Sequence, residues 1–158
     1  MKTESIAYTV AGGKFQGEFI HDETAKTKQP LLLMCPNWAG VTPKAIAIGH
    51  ELAAHGYVVF VADMHGLDRR PTGAENPMQF LEPLIKSPET TRARVNAALE
   101  AMTRTAREKN TGDVTKRAAI GYCFGGANVI DLARSGADVR SEEHTSELQS
   151  HSFISYAV

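Results

Sequence analysis

Apolar residues along this chain follow two periods: short apolar runs alternate with longer stretches in which apolar side chains recur every three or four positions. Two strand-like runs open the chain, at 6–10 and 15–20, and Ala11-Gly12-Gly13-Lys14 between them predicts a hairpin turn. Positions 21–29 are polar and read as a loop. Pro30 then leads into Leu31-Leu32-Leu33-Met34-Cys35, and a second unbroken run covers 57–62. Runs without polar alternation suit strands buried on both faces of a parallel sheet. Between the two runs, Thr42-Pro43 supplies an N-cap followed by proline at the first helical position. Ile46, Leu52 and Ala53 recur at helical spacing, and Gly56 provides the stop. Strand, helix, strand in this order implies a right-handed parallel crossover. A Gly-, Pro-, Asp- and Arg-containing loop is expected over 63–76, and a short helix over Met78–Ile85. Ser87-Pro88-Glu89 starts a longer helix whose stripe is Val95, Leu99 and Met102. Gly112-Asp113 ends it, a third parallel strand is expected at 116–120, and a helix at 127–134. After the opening hairpin the order is βαβαβα, so the class is α/β with a mostly parallel sheet.

The last strand and helix are joined by Gly121-Tyr122-Cys123-Phe124-Gly125-Gly126. An apolar strand, a small-x-nucleophile-x-small turn and a helix form the grammar of a nucleophile elbow. The turn is so tight that the residues two before and two after its apex must be nearly free of side chain. Gly121 and Gly125 meet that demand, and Gly126 relieves crowding further. Cys123 takes the apex. A helix N-terminus there favours a thiolate and offers free N–H groups to an oxyanion.

Composition narrows the partners. The 158 residues are 42% hydrophobic and 22% charged, with a net charge of −1. This is the profile of a globular domain with no electrostatic footprint for nucleic acid. No apolar run approaches the length of a bilayer span, and the start Met1-Lys2-Thr3-Glu4-Ser5 lacks the apolar stretch of a secretory signal. Two cysteines, Cys35 and Cys123, fit a reducing compartment, so a cytoplasmic location is expected. No pattern in the chain fixes an oligomeric state.

The end of the chain departs from this pattern. Leu148 is the one apolar residue between Arg140 and Ser150, and no strand-like run appears until a weak one at 153–158. RSEEHTSELQS resembles the conceptual translation of a short-read sequencing adapter, and ISYAV resembles its next constant segment. Residues 140–158 are therefore expected to be a non-native tail, and 1–139 a partial domain.

Three segments together resemble the dienelactone hydrolase family of the α/β-hydrolase superfamily. They are GYCFGG at 121–126, Cys-Pro-Asn-Trp-Ala-Gly at 35–40, and Gly56-Tyr57-Val58-Val59 leading to Ala62-Asp63-Met64-His65-Gly66. The likeness spans most of 1–139 and implies the N-terminal part of an α/β-hydrolase fold. It also implies a small-molecule ester or lactone as substrate, with no cofactor. Cys123 becomes the nucleophile of a Cys–Asp–His triad whose chain order is nucleophile, acid, histidine. Acid and histidine are then expected beyond Val139. Asp131 and Asp138 lie too near the elbow, and His144 and His151 fall in the tail. By the same resemblance the backbone N–H groups of Trp38 and Phe124 form the oxyanion hole. Members often carry a glutamate where Asn37 stands. An amide cannot take up the thiol proton, but it can hydrogen-bond the sulfur or a substrate carbonyl.

Other polar residues read more plainly. Asp63 and His65, in a loop after a strand, are expected to stabilise the turn or line the mouth of a site. His50 and His55 read as surface or capping residues, Arg69-Arg70 as solvated charge able to meet an anionic substrate, and Cys35 as a core cysteine. No ligand spacing implies a metal, and the glycine loop lacks the Lys-Ser/Thr pair of a phosphate site. Two functions remain: a hydrolase using Cys123, with the fragment itself inactive, or a non-catalytic thiol domain for redox sensing or interaction.

Overall fold

The computed structural model describes residues 1–137, Val139 and the backbone of 155–157. A six-stranded sheet runs through it in the order β1-β2-β4-β3-β5-β6. β1 (Lys2–Val10) and β2 (Gly13–His21) form the expected hairpin, with Val10 paired to Gly13. The two-residue turn places Ala11 at φ +48° and Gly12 at φ +81°, as a turn matched to strand twist requires. β2 joins β4 (Val58–Val61) antiparallel, while β3 (Pro30–Cys35) lies parallel between β4 and β5 (Asp113–Tyr122).

α1 (Pro43–Ala54) covers one face of the sheet. Its Thr42 cap accepts the Ala45 N–H at 3.2 Å, and Gly56 past its end sits at φ +93°. α2 (Met78–Ile85), α3 (Pro88–Glu108) and α4 (Phe124–Arg134) follow. The start of α3 is capped differently from α1: the Ser87 hydroxyl pairs with Thr90 at 2.7 Å and makes no cap bond to the backbone. Side chains of β3 explain the two-faced burial. Leu31, Leu33 and Cys35 pack with Val95, Met102, Val129 and Leu132 of α3 and α4. Leu32 and Met34 pack with Ala45 and Ala53 of α1. Each apolar run is thus split between two cores, which is why it shows no polar alternation.

The chain leaves β3 for β4 on one side and later returns as β5 on the other, so the order reverses at β3. Ligand crevices in α/β sheets open at such a point, beyond the carboxyl ends of the strands. The edge of β5 is partly covered: β6 (Ser155–Ala157) pairs antiparallel with Ile120, Gly121 and Tyr122. This short segment lies within the weak strand-like run at 153–158. Its neighbours 140–154, with His144 and His151, lie outside the described residues, as does Asp138.

Candidate active site

Cys123 stands between β5 and α4 with φ +56° and ψ −115°, a conformation that L-residues avoid. The glycines around it are sterically required. A Cβ on Gly121 would collide with the Gly125 carbonyl, and one on Gly125 with the carbonyls of Cys35 and Pro36. These contacts press the first turn of α4 against the end of β3 and the start of the loop after it. Cys123 is held exposed at the apex, while Cys35 is buried and unpaired. Burial pushes the Cys35 thiol up to about 12, which keeps it protonated and inert. Helix α4 begins at Phe124, so that residue's N–H has no acceptor within the helix.

The loop after β3 is a tight turn over 37–40. The Gly40 N–H donates to the Asn37 carbonyl at 3.0 Å, and the Ala39 N–H donates to Asn37 Oδ1 at 3.0 Å. Asn37 therefore spends its side-chain oxygen on its own turn, leaving its amide NH₂ as the group for a thiol or substrate contact. The N–H groups of the two residues after Trp38 are thus committed, whereas the Trp38 N–H has no acceptor among the described residues.

A second loop, after β4, braces the first. Asp63 is fully buried: Oδ1 accepts the N–H groups of His65 and Gly66, each at 3.0 Å. Oδ2 accepts the Gln16 N–H at 3.2 Å and meets Arg70 Nη2 at 3.1 Å. The carboxylate is committed to holding the turn. His65 crosses to the β3 loop, where Nε2 lies 2.7 Å from the Trp38 carbonyl oxygen. A carbonyl only accepts, so Nε2 carries the hydrogen. Burial holds the imidazole below its ordinary pKa, against the opposing pull of the Trp38 carbonyl and Asp63. Phe80 contacts the ring edge-on at 5.6 Å between centroids.

His65 also walls a cleft of about 440 Å³, together with Lys14, Phe15, Arg69, Glu89 and Arg94. Arg69 is exposed in that cleft, whereas Arg70 is tied to Asp63 and the Gln16 carbonyl. The remaining described histidines are engaged elsewhere: His21 with Glu4, His50 with Thr3, and His55 with the Glu51 carbonyl. None is hydrogen-bonded to Cys123. Among the described residues no group of three or more His, Cys, Asp or Glu is placed to hold a metal ion, and no helix is long and apolar enough to cross a membrane.

The sheet is mixed rather than mostly parallel as expected, because β2 and β6 pair antiparallel on either side of the parallel β4, β3 and β5. A strained cysteine at a strand-to-helix elbow, set at the reversal point of that parallel centre, defines the α/β-hydrolase fold. The dienelactone hydrolase family model matches residues 17–142, and the chain belongs to that family. Among solved structures it is similar to a dienelactone hydrolase-like promiscuous phosphotriesterase from metagenomic libraries, at 31% identity and a TM-score of 0.79 over 89% of this chain and 56% of that one. It is also similar to the protein m3DLH, at 33% identity and a TM-score of 0.79 over 89% of this chain and 57% of that one. A dienelactone hydrolase from Anabaena variabilis shares the fold at 13% identity and a TM-score of 0.64, over 89% of this chain and 61% of that one. The chain thus spans between half and two thirds of the length of these relatives. No curated protein matches the sequence.

Proposed function

We propose that the protein is a carboxylic ester or lactone hydrolase with Cys123 as its nucleophile. The observation that carries this reading is the exposed Cys123 apex at φ +56°, locked by two glycines that admit no side chain. In the first half-reaction the thiolate sulfur attacks the substrate carbonyl carbon. A C–S bond forms and the carbonyl pair moves to oxygen. The unspent N–H groups of Trp38 and Phe124 receive that oxyanion. Collapse breaks the C–O bond, and the leaving oxygen takes a proton from the triad histidine or from water, which releases the alcohol, or opens the lactone, and leaves a thioester. In the second half-reaction water cleaves the thioester to the acid and restores the thiol. The triad acid and histidine that assist both steps belong beyond Val139, because the described histidines are engaged elsewhere. Apart from that acid and histidine, the features used here lie within residues 1–139. The substrate is a small molecule, and the site uses no cofactor.

The test is the reaction of the chain with p-nitrophenyl acetate. Wild type is expected to release p-nitrophenolate with a stoichiometric phase that Cys123→Ala removes. A phase that survives the substitution would rule Cys123 out. Reaction with peroxide but never with the ester would favour redox sensing. The similar phosphotriesterase makes a p-nitrophenyl phosphotriester the natural second substrate to assay.

A further inference from the structure

His65 lies far from the elbow in sequence, and the triad gives it no part. Yet it forms the one side-chain hydrogen bond that reaches the Trp38 backbone among the described residues. We propose that His65 is a positioning residue for the oxyanion hole: its Nε2–H grips the Trp38 carbonyl and so fixes the direction of the Trp38 N–H. This rests on the reading of Cys123 as nucleophile and adds how the facing donor is held.

Four observations carry it. The Nε2 to carbonyl distance of 2.7 Å is that of a well-formed hydrogen bond. The N–H and C=O of one residue are linked through its φ and ψ, so anchoring the carbonyl restricts the swing of the N–H. The 37–40 turn holds residues 39 and 40 by their own N–H groups, leaving Trp38 as the member anchored from outside. The histidine is itself immobilised. Asp63 Oδ1 binds its backbone N–H at 3.0 Å, Phe80 abuts its ring, and Gly40 gives it room. At φ +74°, Gly40 has a backbone suited to glycine, and a Cβ there would lie 3.0 Å from His65 Cδ2. The turn is therefore shaped to admit the imidazole. The chain Asp63–His65–Trp38 couples the end of β4 to the oxyanion donor beside β3.

Two reactions of the same thiol separate positioning from a general structural role. Acetylation by p-nitrophenyl acetate passes through a tetrahedral oxyanion, whereas alkylation by iodoacetamide displaces iodide at a saturated carbon and forms none. Both consume the same thiolate, so its fraction cancels in the ratio of their rates at one pH. The full 158-residue chain is compared with His65→Phe, which keeps a ring and loses the donor. His65→Leu makes the same comparison should the larger ring not be accommodated. Cys123→Ala supplies the background. The ratio of acetylation to alkylation is expected to fall by about tenfold, part of the loss seen when an oxyanion donor is removed outright. An unchanged ratio in a folded variant, whether both rates hold or both fall together, overturns the proposal. Failure of the nucleophile reading shows separately, as acetylation that persists in Cys123→Ala.

Discussion

Burying an imidazole that donates to a carbonyl has a consequence for pH. The charged form of His65 is disfavoured first by desolvation and further by Arg94 and Arg69, so its pKa in the folded chain lies below the ordinary value. An unfolded chain takes up the proton first as pH falls. The stability associated with the neutral ring is therefore present in full above the unfolded pKa of about 6.5 and is lost as pH falls from there toward the folded value. Urea midpoints measured at about pH 7 and about pH 5 should show a drop in wild type that is smaller in His65→Phe. An equal drop in both would show that His65 titrates alike in the folded and unfolded chain. None of this was readable from the sequence. Its pattern places His65 in a loop after a strand, but the Trp38 carbonyl lies 27 positions away and is reached only through the fold.

Among the elements, the elbow is the place where local preference and tertiary demand part. Two glycines in its first turn disfavour a helix, and on propensity α4 is expected from 127; it starts at Phe124. The reason is the crossing of Gly125 over the Cys35 and Pro36 carbonyls, which leaves no volume for a Cβ. Gly125→Ala should therefore cost about 4 kcal/mol or prevent folding. Gly136→Ala, at φ +75° with nothing within 4 Å, should cost only about 1–2 kcal/mol of backbone strain. Thermal or urea melts of the two variants decide this, and equal losses would mean that the crossing is not tight. Strand ends show the complementary limit. The expected cores of β1 and β5 were legible as apolar runs. Their true ends at Lys2 and Asp113 were not: Lys2-Thr3-Glu4 are polar residues at a largely exposed strand end that pairs all the same, and β5 reaches Asp113 only across a register shift that carries the polar Thr115-Lys116. The starts of α1 and α3 were legible, since Thr42-Pro43 and Ser87-Pro88 mark them in the sequence. Thr42 makes its cap bond; Ser87 does not.

For the whole molecule, the sheet order brings the ends of β4, β3 and β5 side by side, and every candidate site residue lies on the turns that follow them. The family was legible in three short motifs because each is held by sterics at this junction. Substrate identity has no comparable signature in the chain, which covers 56% of the similar phosphotriesterase and 57% of m3DLH. The proposed mechanism needs a base for thioester hydrolysis, and the described histidines are bonded to other partners. The 158-residue chain is accordingly expected to release one equivalent of alcohol and then stall. A steady second turnover that Cys123→Ala abolishes would show that a base is present after all. Locating the acyl group tests the central claim most directly: peptide mapping by mass spectrometry after brief exposure to p-nitrophenyl acetate. One acetyl group on the peptide containing Cys123, discharged by hydroxylamine as a thioester is, is the predicted result. An acetyl group found elsewhere, with Cys123 unmodified, would contradict it.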